Sequence, residues 1–246
     1  MIKKNVIAFL YTLSSIFVVL GISWAILIKA NFFYSYWHEY GGIKETIEYF
    51  APKNQHISGF ELTTKEQRSN AFKEINYAVH FSSKNLKDIT FTTKNKVPQL
   101  LLHEREIIHL KDVANIINIL FFLIIIYFIC WCFILILIMK NAYPIPSIKT
   151  QGLIITALLI VLSLIVIIIG ATDVFYWFHE IIFPENHQWF FYYEDSLMST
   201  LMSAPDLFGW IALEWLVLFV ACFYVVQFLK LKITHKLNTA IYRQSS

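Results

Sequence analysis

Charge is what this sequence has least of. Only 15% of its residues are Asp, Glu, Lys or Arg, against 57% hydrophobic, where a soluble domain carries about 25% charged residues. The charges are also missing in blocks. Val6–Ile28, Val113–Met139 and Thr150–Thr172 hold none, and Leu207–Leu229 holds a single acid, Glu214. At ~1.5 Å per residue, runs of this length cross a hydrocarbon core of ~30 Å. The expected fold is therefore an all-α integral membrane protein with four transmembrane helices.

Other absences narrow the chemistry. The three cysteines, Cys130, Cys132 and Cys222, all fall inside apolar runs, so none is available for an extracytoplasmic disulfide, and the Cys-x-Cys pair reads as packing. A net charge of +3 is too small and dispersed to suggest nucleic acid as a partner. There is no His-Glu-x-x-His zinc motif and no Gly-x-Ser-x-Gly nucleophile motif. No repeat or low-complexity linker interrupts the chain.

Basic residues orient the helices. Lys3 and Lys4, Lys140 and Lys149, and Lys230, Lys232, Lys236 and Arg243 lie in the two tails and one short connection. Those three segments fall on one side, expected to be cytoplasmic. Phe178–Asp206 has no Lys or Arg, as suits an outer loop. The long segment 30–112 carries 11 basic and 10 acidic residues, but long loops translocate largely regardless of charge. The organisation read from this is a first membrane helix in 1–29, an extracytoplasmic cap in 30–112 and a second helix in 113–139. A cytoplasmic loop (140–149), a third helix (150–177), a second outer loop (178–206), a fourth helix (207–229) and a cytoplasmic tail (230–246) follow. The long first apolar run and the lack of a small-x-small site favour a retained anchor over a cleaved signal peptide.

The cap is expected to be a small α+β unit. "TTKEQRSNAFKEINYAVHF" reads as a helix with Thr64 and Gln67 at capping-box spacing. "LKDITFTTKN" alternates like a strand, with "HISGFELT" as its partner. "VPQLLLHEREIIHLKDV" reads as a helix opening at Pro98 and continuing without a breaker into the second span. The outer aromatics, among them Phe32, Phe33, Tyr34, Tyr36, Trp37, Trp177, Trp189 and Tyr192, suit an interfacial belt; some are candidates to line an acyl groove.

The candidate site lies where helices leave the membrane. The connection "KNAYPIPSIK" makes spans two and three antiparallel neighbours, and Pro144 sits midway between positions 109 and 179. Helices leaving one turn rise equally per residue, so His109 and His179 reach the same height. Helix axes ~8–10 Å apart let two imidazoles approach one substrate. Arg105, His109 and Asp112 share a face, Glu106 lies one turn before His109, and Asp173 and Glu180 flank His179. A carboxylate on one ring nitrogen fixes the tautomer and frees the other as a base. The remaining histidines lack such neighbours, and His103 reads as a surface residue. Glu106-x-x-His109 has the spacing of di-iron bundles, but only one such pair is present, and no metal site is expected.

"HEREIIHLKDV" entering one span, and "WFHEIIFPENHQWFF...EDSL" leaving another, resemble the lipoprotein intramolecular transacylase (Lit) family of four-span bacterial membrane proteins. The distinctive residues are Glu-Arg-Glu, His-Leu-x-Asp-Val, and Phe-His-x-Ile-x-Phe followed by Trp and Asp. Tyr192 and Tyr193 depart from the Asp-Pro pair frequent in that family, and the interval from Asp195 to Pro205 is longer.

The resemblance implies an enzyme of the bacterial plasma membrane, with its active site on the outer side. It would need no cofactor and would use diacylglyceryl-modified lipoproteins and membrane lipids as partners. Its reaction would move the sn-2 acyl chain of a diacylglyceryl-cysteine to the α-amine of the same cysteine. The family's functional histidines would be His109 and His179. Arg105, Glu106, Asp112, Asp173 and Glu180 would support them, and Trp189 and Asp195 would bind substrate. The alternatives are a non-enzymatic lipid- or protein-binding membrane protein and a metal-dependent membrane hydrolase.

Overall fold

Among the described residues, four helices are long and apolar enough to cross a membrane: Asn5–Lys29, Glu104–Lys140, Ile148–Ile169 and Asp206–Leu229. They belong to α1 (Ile2–Lys29), α5 (Glu104–Asn141), α6 (Ile148–Ile169) and α9 (Asp206–Gln244). The structure is a computed structural model that describes residues 2–93, 97–141 and 146–244. Pro144, on which the equal-height argument turned, lies outside the described residues.

The chain divides into two units. One comprises 1–26, 122–162 and 215–246. Val19, Ile155, Phe219 and Phe223 form one of its apolar clusters, and Tyr11, Ile134 and Ile138 another. Lipid offers no hydrogen bonds, so polar groups here must pair internally. Trp131 donates to Ser15 Oγ at 2.9 Å, Trp215 to Ser23 Oγ at 3.0 Å, and the Gln227 amide to Gln151 Oε1 at 3.1 Å. Gly21 lets α1 approach α5, since a Cβ there would sit 2.6 Å from an Ile124 methyl.

The second unit, 27–121 and 163–214, carries the cap. Between α1 and α2 (Tyr34–Tyr40), Asn31, Phe32 and Phe33 all adopt left-handed backbone (φ 52, 48 and 44°). That is costly for residues with a Cβ. Their surroundings hold them there: Asn76 donates to Asn31 Oδ1 at 3.1 Å, and Phe32 is buried edge-on against Phe72. α3 (Ile43–Phe50) follows, then α4 (Lys65–Phe81), which opens on the Thr64–Gln67 capping box.

Three local expectations are corrected. Pro98–Leu100 does not open a helix; it is strand β2, antiparallel to β1 (Thr90–Thr92). The helix start is delayed to Glu104, where the Glu106 carboxylate caps the His103 backbone N–H at 2.8 Å. "HISGFELT" is not a strand. Asn54 Oδ1 accepts the N–H groups of His56 and Ile57, and Gly59 (φ 90°) leads into a single 3-10 turn, Phe60–Leu62. Finally, the third helix does not run to residue 177. It stops at Ile169, and Gly170 (φ 100°) starts a separate helix, α7 (Ala171–Ile182). α8 (Leu197–Met202) completes the unit before α9.

Candidate active site

α5 delivers His109 and α7 delivers His179, and their rings lie 6.3 Å apart, 28° from parallel. Aromatic side chains enclose them. Phe183 is 4.8 Å from the His109 ring and 5.2 Å from that of His179, Phe191 is 5.9 Å from His109, and Trp189 is 5.2 Å from His179. His179 Nδ1 lies 2.7 Å from the Phe175 carbonyl oxygen. A carbonyl only accepts, so Nδ1 bears the proton and Nε2 keeps its lone pair. Burial pushes the His179 imidazole below its ordinary pKa, partly offset by that hydrogen bond. His109 is buried, and its Nδ1 has no hydrogen-bond partner among the described residues. A buried ring nitrogen left unsatisfied, in a ring stacked beside a second imidazole, marks a group whose role lies in the site's chemistry.

The supporting carboxylates are arranged differently from the sequence expectation. Asp112 acts on His109 through its charge and not through a hydrogen bond; its Oδ2 accepts from His187 Nδ1 at 2.6 Å. Fully buried Glu106 also turns away from His109. It accepts from the Ser196 hydroxyl and, at 3.1 Å, from the Met198 N–H, joining α5 to the start of α8. Asp173 lies in the first turn of α7 beside Gly170, where a negative charge suits the helix dipole. Glu180 is exposed. Arg105 is exposed and donates to Gln188 Oε1 at 3.3 Å. Trp189 packs on His179, while Asp195 offers its backbone oxygen to His103 Nε2 at 3.3 Å. Among the described residues, no three of His, Cys, Asp and Glu gather into a group that could hold a metal ion.

Two contributors escaped the sequence reading. His103 is no simple surface residue: its ring touches those of His56 and Phe191. His187 acquires its carboxylate from 75 residues away, and no local spacing signals that.

A profile of the family described as lipoprotein intramolecular transacylase Lit matches residues 9–204. The chain belongs to that family. No curated protein gives a significant match. Solved structures agree on the fold. The membrane-integral Lit transacylase of Bacillus cereus superposes with a TM-score of 0.66 at 15% identity, over 96% of this chain and 98% of that one. A variant of the same enzyme with a histidine-to-arginine substitution gives 0.67 at 15% identity, over 97% and 95%. Membership in the Lit family makes this chain a multi-pass membrane transacylase and removes the non-enzymatic alternative.

Proposed function

We propose that this Lit-family protein moves the sn-2 acyl chain of a diacylglyceryl-cysteine lipoprotein onto the α-amine of the same cysteine, with His109 and His179 as its catalytic residues. The supporting observation is the 6.3 Å separation of two imidazoles inside one aromatic enclosure. The amine nitrogen attacks the ester carbonyl and forms a tetrahedral adduct. His179 Nε2, left unprotonated by the bond from Nδ1–H to Phe175, takes the amine proton. When the bond to the glycerol oxygen breaks, the same imidazole returns that proton to the departing oxygen. One amide forms, one ester is lost, and no acyl donor is consumed.

His109 holds the carbonyl oxygen. A neutral imidazole N–H donates to the developing oxyanion, and Nδ1, unpaired among the described residues, is the nitrogen assigned that role. Arg105, expected from the sequence to support the histidines, is engaged by Gln188 in an exposed position. Amine and ester belong to one molecule, so positioning supplies much of the acceleration. Exposed Trp177, Phe178, Ile181 and Ile182 on α7 suit acyl chains arriving from the outer leaflet, with both termini of the protein in the cytoplasm.

Co-expression with a model lipoprotein tests the reaction. Mass spectrometry of its N-terminal lipopeptide should show N-acyl lyso product with unchanged acyl composition. An unmodified diacylglyceryl-cysteine with a free amine would sink the proposal.

A further inference from the structure

Phe191, whose ring lies 5.9 Å from that of His109, also lines an open cleft of about 550 Å³ in the second unit. Gln55, His56, His103, Arg105, Gln188 and Asp195 line it. We propose that this cleft receives the lipoprotein's polypeptide just beyond its acylated cysteine, an inference that rests on the reaction given above.

The lining decides the class of occupant. Imidazole and amide donors stand beside carboxylate and amide acceptors, which suits the N–H and C=O groups of an extended main chain. An acyl chain would strip water from these groups and give no hydrogen bonds in return. A phosphate headgroup would face the carboxylates of Asp195 and of Glu104, which also lines the cleft. The substrate has one remaining polar part, its polypeptide.

The walls are set in advance. His103 Nε2–H reaches the Asp195 carbonyl at 3.3 Å, Arg105 reaches Gln188 at 3.3 Å, and the Gln55 N–H donates to the Glu194 carbonyl at 2.9 Å. Three chain segments are thus tied together, so little ordering remains to oppose binding.

Distance assigns the register. Phe191 lies 5.9 Å from His109 and 6.1 Å from His103. The cleft wall is therefore no more than about 12 Å from the catalytic imidazole, roughly three to four residues at ~3.3 Å each.

The test uses the full-length protein in micelles with two synthetic substrates, a diacylglyceryl-cysteine amide and the same group on a pentapeptide. One or two main-chain hydrogen bonds should favour the pentapeptide about tenfold in kcat/KM. His56→Trp, which fills the cleft, should shrink that ratio toward unity. A photo-crosslinker on the fourth peptide residue should label residues 55–56, 103–105 or 188–195. Equal rates for both lengths in the native protein, a ratio that survives His56→Trp, or labelling elsewhere would overturn the assignment. Absence of acyl transfer from either substrate would instead remove the reaction beneath it, and the assignment with it.

Discussion

Glu106 and Ser196 stand 90 positions apart in the chain, yet the Ser196 hydroxyl donates directly to the Glu106 carboxylate in the protein interior. The same carboxylate accepts the backbone N–H groups of Met198 and His103. It fastens the second loop to the helix that carries His109. Removing it leaves two buried donors and the half-buried His103 N–H without their acceptor, and hydrogen bonds to a charged group are worth more than neutral ones. Glu106→Ala should cost roughly 2–3 kcal/mol, seen as a clear fall in Tm in detergent.

The Asp112–His187 pair is also short, at 2.6 Å, but His187 is 33% exposed. Solvent screens such a pair, and its worth is discounted to under about 1 kcal/mol. His187→Ala should therefore shift Tm far less than Glu106→Ala. Equal shifts would contradict the ranking of the two contacts by burial.

The cap should lose stability in acid through His38. Buried Arg68 faces His38 Nε2 at 3.3 Å, and a guanidinium only donates, so Nε2 is an acceptor and Nδ1–H points to Glu39. Burial holds the His38 pKa below its ordinary value. Above pH ~6.5 both folded and unfolded chains are neutral there. Below it the unfolded chain binds a proton that the folded cap excludes, and stability falls as pH drops toward the lowered folded pKa. His80, also lowered by burial, acts in the same direction. Thermal unfolding between pH 8 and pH 5 should show the decline, reduced in His38→Gln. A Tm that rises as pH falls through this range would contradict it.

Gly170→Ala should reduce both stability and activity. Its φ of 100° is a region that a Cβ penalises by about 1–2 kcal/mol, and straightening the chain there would move the helix that presents His179. Unchanged Tm and unchanged rate would show that the break between α6 and α7 does not depend on glycine.

The spans were legible because hydrocarbon tolerates no unpaired charge, so their length is written in uncharged runs. The α4 capping box was legible because it is local, three residues from donor to acceptor. β2 was not: Pro98 suits a helix start as well as an edge strand, and only pairing with Thr90–Thr92 decides. The break at Gly170 was hidden by apolar residues that continue on both sides. The partners of Glu106, Asp112 and Glu214 depend on tertiary contact. Glu214, a lone acid in a long apolar helix, accepts the Trp37 indole N–H, with Trp37 stacked 4.4 Å from Trp210. The meeting of His109 and His179 was foreseen from equal rise on two helices, although a separate short helix carries the second ring.

Initial rates on a synthetic diacylglyceryl-cysteine peptide, with native protein, His109→Ala and His179→Ala compared at equal folded concentration, test the central claim. Loss of a positioned proton carrier or oxyanion donor should lower kcat at least ~100-fold in each variant. Either variant within a few fold of the native rate would contradict the assignment of that imidazole to the reaction.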